Sequence, residues 1–256
     1  MLAEFWEGLF NWRYWVTLAW TDIRGRYRRT FLGPFWTTIN SVFFVSLIGL
    51  VYSFLWGIPI VDFLPFVAAG YFIWVYLSGT LMESCGTFTA YGEIIKTVPI
   101  SPMSLLMRVI TRNVFVLAHN LVVFIPIALL FGVSLKFFPL AFVGLFFVSL
   151  ALVGSAMCWA FLCARFRDFE QVMLSIVTLM FLVTPILWND DILPGRVSFV
   201  ADWNPFFHLI EVIRAPMLGG LPSMLSVIVT GGLVVGMLGL GMLVYAFNRH
   251  KLAYWL

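Results

Sequence analysis

Six long stretches without a single Asp, Glu, Lys or Arg constrain this chain more than any other feature. They lie between Arg29 and Asp62, Asp62 and Glu83, Arg112 and Lys136, Lys136 and Arg165, Glu170 and Asp190, and Arg214 and Arg249. A helix needs roughly 20 mostly apolar residues to cross the hydrocarbon core of a bilayer, so each stretch can hold one. Backbone in lipid must satisfy its hydrogen bonds internally, which makes helix the default for runs this long. A barrel would show short alternating segments instead. Composition points the same way. The 256 residues are 62% hydrophobic and 11% charged, against about 25% charged in an ordinary soluble domain. Such a chain cannot furnish a polar outer face.

The expected fold is therefore all-α, a polytopic membrane protein with six transmembrane helices at about 35–57, 64–84, 113–132, 137–163, 171–188 and 222–247. It reads as one transmembrane domain over 1–256. A cytoplasmic interfacial helix and basic segment occupy 1–30, spans one to five 35–188, an external gate region 189–221, span six 222–247, and a cytoplasmic tail 248–256.

Charge asymmetry orients the chain. One set of segments carries Arg13, Arg24, Arg26, Arg28, Arg29, Lys96, Arg108, Arg112, Arg165, Arg167, Arg249 and Lys251; the opposite set carries only Lys136, Arg196 and Arg214. The positive-inside rule then puts both termini in the cytoplasm, as in a bacterial inner-membrane protein. Topology accounts for the basic residues, so no nucleic-acid partner is indicated. The first residues include Glu4 and Glu7 and show no basic leader before an apolar run, unlike a signal peptide. Cys85, Cys158 and Cys163 form no CxxC pair and read as reduced packing residues.

Aromatic residues fill the first segment. Phe5, Leu9, Trp12 and Val16 follow helical spacing, with polar groups between them. This predicts an amphipathic helix lying in the membrane interface, where Trp is favoured. The segment 93–102, EIIKTVPISP, ends in two prolines that forbid one continuous helix. A short protruding helix and a plain loop both fit it, and Ser101 or Ser104 could cap the helix that follows. The loop RFRDFEQ at 165–171 is short enough to join two antiparallel helices. The segment 184–220 is long, aromatic and proline-punctuated. Its residues after Asn204-Pro205, with Phe206, Phe207, Leu209, Ile210 and Ile213, predict amphipathic helix dipping into the outer leaflet or covering an exit.

Enzymatic machinery is not indicated. A phosphate-binding loop needs Gly-Lys, and that dipeptide occurs nowhere. ATP-driven work would need a separate ATPase. His119, His208 and His250 are scattered, and no metal site or cofactor is expected. His119 is the one titratable group deep in a span, where it reads as a neutral ring bonded to a neighbouring helix. A membrane-embedded glycolipid transferase would have to use Asp190, Asp191, Asp202, His208 and Glu211. An ion-coupled carrier would need several charged groups at mid-membrane depth, and the chain lacks them.

The segment 22–36, DIRGRYRRTFLGPFW, sets Arg24, Arg26, Arg28 and Arg29 around Tyr27 and opens the first span with Leu32-Gly33-Pro34. A basic anchor at lipid phosphates and a binding site for an acidic ligand both account for the charge. With EIIKTVPIS at 93–101, RFRDFEQ at 165–171 and NPFFHLIEVIRAPMLGG at 204–220, this order resembles the ABC-2-type permeases that export bacterial polysaccharides. The Wzm-type O-antigen exporters are nearest; capsule and teichoic-acid exporters are siblings.

The resemblance spans nearly the whole chain and implies specific roles. Two copies would form the pore as a homodimer over two copies of a Wzt-like ABC ATPase. Glu93, Ile94, Ile95, Lys96 and Pro99 would fall in a coupling helix docked on that ATPase. The 192–218 region would supply external gate helices, with Asn204, Pro205, Glu211 and Arg214 among its marks. The substrate would be a lipid-linked polysaccharide, on undecaprenyl diphosphate in the O-antigen case. Arg24, Arg26, Tyr27, Arg28 and Arg29 would be placed to meet the diphosphate, since arginine makes charge-assisted bonds to phosphate oxygens. Tyr71, Trp74, Tyr76 and Trp188 are candidates for stacking on sugar rings in a channel; an interfacial aromatic belt or helix packing explains them equally.

Overall fold

The computed structural model describes residues 2–26, 30, 31, 33, 35–98, 100–188 and 197–256. Tyr27, Arg28, Arg29, Pro99, Asp190 and Asp191 lie outside the described residues. Within them the chain is all-helical: α1 (Leu2–Phe10), α2 (Trp12–Arg26), α3 (Phe35–Trp56), α4 (Ile60–Ala90), α5 (Gly92–Thr97), α6 (Pro102–Leu130), α7 (Phe138–Arg165), α8 (Asp168–Val183), α9 (Val197–Trp203), α10 (Pro205–Met217), α11 (Met224–Asn248), a 3-10 turn (Arg249–Lys251) and α12 (Leu252–Trp255).

Five of these helices are long and apolar enough to cross a bilayer: α3, α4, α6, α7 and the run from Met224. The segment expected as a fifth span over 171–188 forms a helix of 16 residues, Asp168–Val183. At 1.5 Å per residue it reaches about 24 Å, short of the ~30 Å core. Its end is set by Pro185: Thr184 before it is extended, at ψ 134°, as a residue preceding proline prefers.

Three helix ends are set by identifiable local chemistry. Gly57, at φ +67°, closes α3 in the left-handed conformation, and the Ile58 amide returns to the Ser53 carbonyl at 3.1 Å. This is the glycine-terminated stop in which a reversed amide satisfies a last-turn carbonyl. Asn204 caps α10 by accepting from the Phe206 amide at 2.9 Å, with Pro205 in the first turn, where its missing N–H costs nothing. Ser223 likewise caps α11 through the Ser226 amide at 3.1 Å.

α4 and α7 form the centre. Phe63, Phe72, Tyr76, Leu77 and Phe88 of α4 are fully buried, as are Val148, Ala156, Met157 and Ala160 of α7. Glycines let α7 approach its neighbours closely. A methyl on Gly144 would overlap the Val212 carbonyl of α10, and one on Gly154 would overlap the Met237–Leu238 peptide of α11. Close backbone approach through small residues is how membrane helices gain packing energy when lipid is as apolar as the partner.

The core divides into two clusters. One joins α4, α6, α7, α8 and α10 through the body of the bundle. The other sits at the arginine-rich end, where Phe5 of α1 joins a cluster with Phe88, Leu105, Phe161, Tyr245 and Leu252. Phe5 stands edge-on to Tyr245 at 5.3 Å. The amphipathic segment expected at the start is two helices, broken at Asn11, with Trp6, Phe10, Trp12 and Trp20 exposed.

Candidate functional site

Three groups of residues stand out from the packed interior, and each contains residues that the sequence singles out.

The first lies at the arginine-rich end. α2 carries Asp22 beside Arg24 and Arg26; α4 carries Glu83; α6 carries Arg108 and Arg112. Arg108 donates to Asp22 and to the Tyr91 hydroxyl at 2.7 Å, with its guanidinium 4.3 Å over the Tyr91 ring. Arg112 pairs with Glu83 and lies 4.0 Å from Asp22. Asn113 donates to Glu83 at 2.8 Å, and Arg26 approaches the same carboxylate at 3.5 Å. Burial raises the pKa of Tyr91, and its hydroxyl donates to Asp22 at 3.3 Å. Arg24 faces outward over Trp20 at 5.2 Å. Beside the network a notch of about 160 Å³ is lined by Arg26, Thr37, Gly79, Glu83, Arg112 and Asn113. In the sequence Arg108 and Arg112 read as topology markers, and nothing there pairs Asp22 or Glu83. The only signal was the presence of acids in basic segments.

The second group is α5 and its surroundings. The short protruding helix is present over Gly92–Thr97, so the plain-loop alternative for 93–97 falls. Glu93, Ile94 and Lys96 are exposed, while Ile95 packs inward on the end cluster. Glu93 and Lys96 form an ion pair at 3.5 Å. Ser101 is the residue before α6 but makes no side-chain cap; Ser104 donates instead to the Gly8 carbonyl at 3.2 Å. A cleft of about 620 Å³ opens here between α1–α2 and the entry to α6, lined by Glu7, Asn11, Tyr14, Val98, Ile100 and Ser101.

The third group surrounds α10. Arg214 is buried, with 5% of its side chain exposed. It donates to Glu211 at 2.7 Å and to the Pro185 carbonyl at 2.6 Å, and lies 4.4 Å over Phe66. Asn204 donates to Thr184 at 2.9 Å. His208 is fully bonded, to Ser226 and to the Asp202 carbonyl, each at 2.9 Å. α10 also runs along the depth of the bundle: Phe206 at its start meets Trp74 at 5.6 Å, whereas Gly219 beyond its end abuts Ser134.

The aromatic candidates separate. Tyr71 stacks on Phe44 at 4.3 Å and is half-buried. Trp74 is buried against Phe181 and Phe206. Tyr76 is fully buried and bonds Ser149 at 2.8 Å, which puts it in the α4–α7 packing and away from any open path in this conformation. Trp188 is half-buried and donates to the Leu182 carbonyl at 3.3 Å. His119 is also a correction: its partner is the Phe115 carbonyl of its own helix, at 2.7 Å, not a neighbouring one.

Residues 13–218 match the ABC-2 type transporter family. The chain belongs to that family. Among curated proteins this ABC-2 member is 25% identical over 247 residues to an O-antigen export system permease protein, RfbA, of Klebsiella pneumoniae, covering 92% of this chain and 91% of the relative. A second Klebsiella pneumoniae RfbA is 24% identical with the same coverage. The RfbA of Myxococcus xanthus is 24% identical over 207 residues, 78% of each chain. The family match takes in the α2 segment, α5 and α10, the elements on which the three groups above stand. ABC-2 family members are transport subunits, and the chemistry here agrees. Asp22, Glu83, Arg108 and Arg112 at one end, and Glu211 and Arg214 at the other, are held in ion pairs.

Proposed function

We propose that this chain is the permease subunit of an ATP-driven exporter of lipid-linked polysaccharide, O-antigen in the first instance, in the bacterial inner membrane. One observation carries the reading: a likeness to O-antigen export permeases that runs over 92% of the chain. The chain conducts and does not catalyse; hydrolysis belongs to a partner ABC ATPase of the Wzt type, two copies beneath a homodimer of this chain.

Within this reading α8, extended by Thr184–Trp188, completes a sixth crossing, and both termini are cytoplasmic. The arginine-rich end faces the cytoplasm on the positive-inside bias. α1 and α2 lie in the interface, which the exposed Trp6, Trp12 and Trp20 favour. α9 and α10 are external gate helices that re-enter the bundle, with Asn204 and Pro205 at the deep end and Glu211 and Arg214 nearer the surface. Support comes from the Phe206–Trp74 and Gly219–Ser134 contacts, which lie at different depths. α5 is the coupling helix: Glu93, Ile94 and Lys96 are presented outward while Ile95 anchors the element on the end cluster; Pro99 belongs to the same docking segment by sequence alone. The segment with Arg24, Arg26, Tyr27, Arg28 and Arg29 receives the diphosphate of the lipid carrier. Tyr71 and Trp188 are offered to the sugar; Trp74 becomes available only if Phe181 and Phe206 move off it, and Tyr76 only if α4 and α7 part.

Deleting the gene and analysing the cell surface tests the function. Loss of long O-antigen, restored by this chain together with its ATPase, is the expected result. Loss of capsule or teichoic acid instead would reassign the polymer. Intact surface polymers of all three kinds, or transport by the purified chain without any ATPase, would overturn the exporter reading.

A further inference from the structure

The ion network at the arginine-rich end ties α2, α6 and the α4–α5 junction together through one side chain. Tyr91 is the single residue between α4 and α5. Its carbonyl accepts the Ile95 amide at 2.9 Å, closing the first turn of α5. Its side chain grips the opposite way: the ring lies under the Arg108 guanidinium at 4.3 Å, and the hydroxyl sits between Arg108 and Asp22. Asp22 in turn lies one helical turn before Arg26 on α2. One residue therefore holds α5 with its backbone and α2 with its side chain.

A second tie runs parallel. Gly8 of α1 accepts from Ser104 at 3.2 Å, and a methyl on Gly8 would overlap Ser101. The α1–α2 pair is thus fastened to the entry of α6 at both ends. The other arm of the network differs in tightness. Arg112 and Glu83 are in close contact with side chains 12% and 24% exposed, whereas Arg26 reaches Glu83 only at 3.5 Å and is 54% exposed. Arg26 is the member of the network that an outside anion can most easily take.

We propose that Asp22, Tyr91 and Arg108 form a mechanical joint that links the ATPase-docking helix α5 to the basic end of α2, so that binding of a lipid-linked diphosphate at Arg24 and Arg26 is sensed at the ATPase and ATPase movement is delivered to the substrate. The three are positioning residues: none touches substrate or nucleotide. The proposal rests on the exporter reading above. The physical chain is contiguous: α5 pulls on Tyr91, Tyr91 on the Asp22–Arg108 pair, and Asp22 on the turn bearing Arg26. The Nε of Arg108 is buried with no partner among the described residues, which leaves the joint a spare donor when α2 shifts.

The test uses the whole exporter, this chain with its ATPase, reconstituted in lipid nanodiscs. ATP hydrolysis is measured with and without an isoprenoid-diphosphate-linked oligosaccharide for wild type, Tyr91→Phe, Asp22→Asn, Arg108→Gln and the Asp22→Asn/Arg108→Gln pair. Complex assembly and basal hydrolysis should stay near wild type in Tyr91→Phe and in the charge-neutral pair, whereas each charge single strands a largely buried partner. The stimulated-to-basal ratio should fall by about fivefold or more, within the range of coupled sites, and the double variant should be no worse than the worse single one. A general packing defect would lower basal hydrolysis and assembly together and would leave the ratio alone. Unchanged ratios in all variants, or strictly additive losses in the pair, overturn the joint. Where Asp22→Asn or Arg108→Gln fails to assemble, Tyr91→Phe decides, since it removes one hydroxyl and no charge. A wild-type complex indifferent to the lipid-linked sugar overturns the exporter reading, and the joint falls with it; a stimulated wild type with equally stimulated variants overturns the joint alone.

Discussion

Arg214, on α10, donates to the main-chain carbonyl of Pro185 at 2.6 Å, across the reversal that follows α8. Asn204, at the start of the same helix, donates to Thr184 at 2.9 Å. Two consecutive residues of the reversal are therefore pinned from the beginning and the end of one helix. Proline ends α8 and so frees carbonyls that no helical amide can reach. A buried guanidinium with several donors in fixed geometry is well suited to satisfy one of them.

Arg214→Ala should be among the most destabilising single changes in this chain. It leaves the Pro185 carbonyl and the Glu211 carboxylate without their partner in a buried setting, at a cost of about 3–5 kcal/mol. Thermal unfolding in detergent should show a clear drop in midpoint, with Arg214→Lys intermediate because one of the two contacts can survive. A midpoint unchanged in Arg214→Ala would contradict the pinning role.

Asn204 does two jobs that substitution can separate. Asn204→Asp keeps the acceptor for the Phe206 amide, and Thr184 can donate to it in turn. Asn204→Ala removes both bonds. The loss of the cap alone is worth about 1 kcal/mol. The alanine variant should therefore unfold earlier than the aspartate variant, and export should follow the same order.

Helix crossings give a sharp contrast between glycines. A methyl at Gly154 meets the Met237–Leu238 peptide, which is backbone and cannot rotate away, whereas Gly239 has nothing within 4 Å of where its methyl would stand. Gly154→Ala should destabilise by about 1–3 kcal/mol. Gly239→Ala should be neutral or slightly stabilising, since alanine is favoured over glycine inside a helix by about 1 kcal/mol. Equal unfolding midpoints for the two variants would refute the crossing.

Lys96→Glu tests α5 without disturbing the fold. The residue is exposed and its pair with Glu93 is long, at 3.5 Å, so stability should move by no more than about 0.5 kcal/mol. Binding of the ATPase should nevertheless weaken, read as lower recovery of the ATPase with the tagged permease. Full recovery together with normal export would remove α5 from the docking surface.

Much of the architecture was legible because lipid writes its demands into sequence as long neutral runs. α3, α4, α6, α7 and α11 fall on predicted stretches, and the N-cap of α10 was marked by Asn204-Pro205. Helix ends were less legible. α4 continues to Ala90 and α6 begins at Pro102, because outside the bilayer polar residues such as Glu83 and Arg108 pack into the bundle and hydropathy no longer marks the boundary. The 171–188 run satisfied the hydropathy pattern, yet its regular helix stops at Val183, where the proline interrupts it.

The sequence by itself determined that the chain is helical, that it belongs in a membrane, and which of its ends is basic. These follow from local composition and periodicity, which act over a few turns. The pairing of Asp22 with Arg108 and of Glu83 with Arg112 was decided only by tertiary structure. Those partners are 86 and 29 positions apart, by subtraction of their residue numbers. Nothing local records which of fifteen basic side chains an acid will meet once three helices are packed.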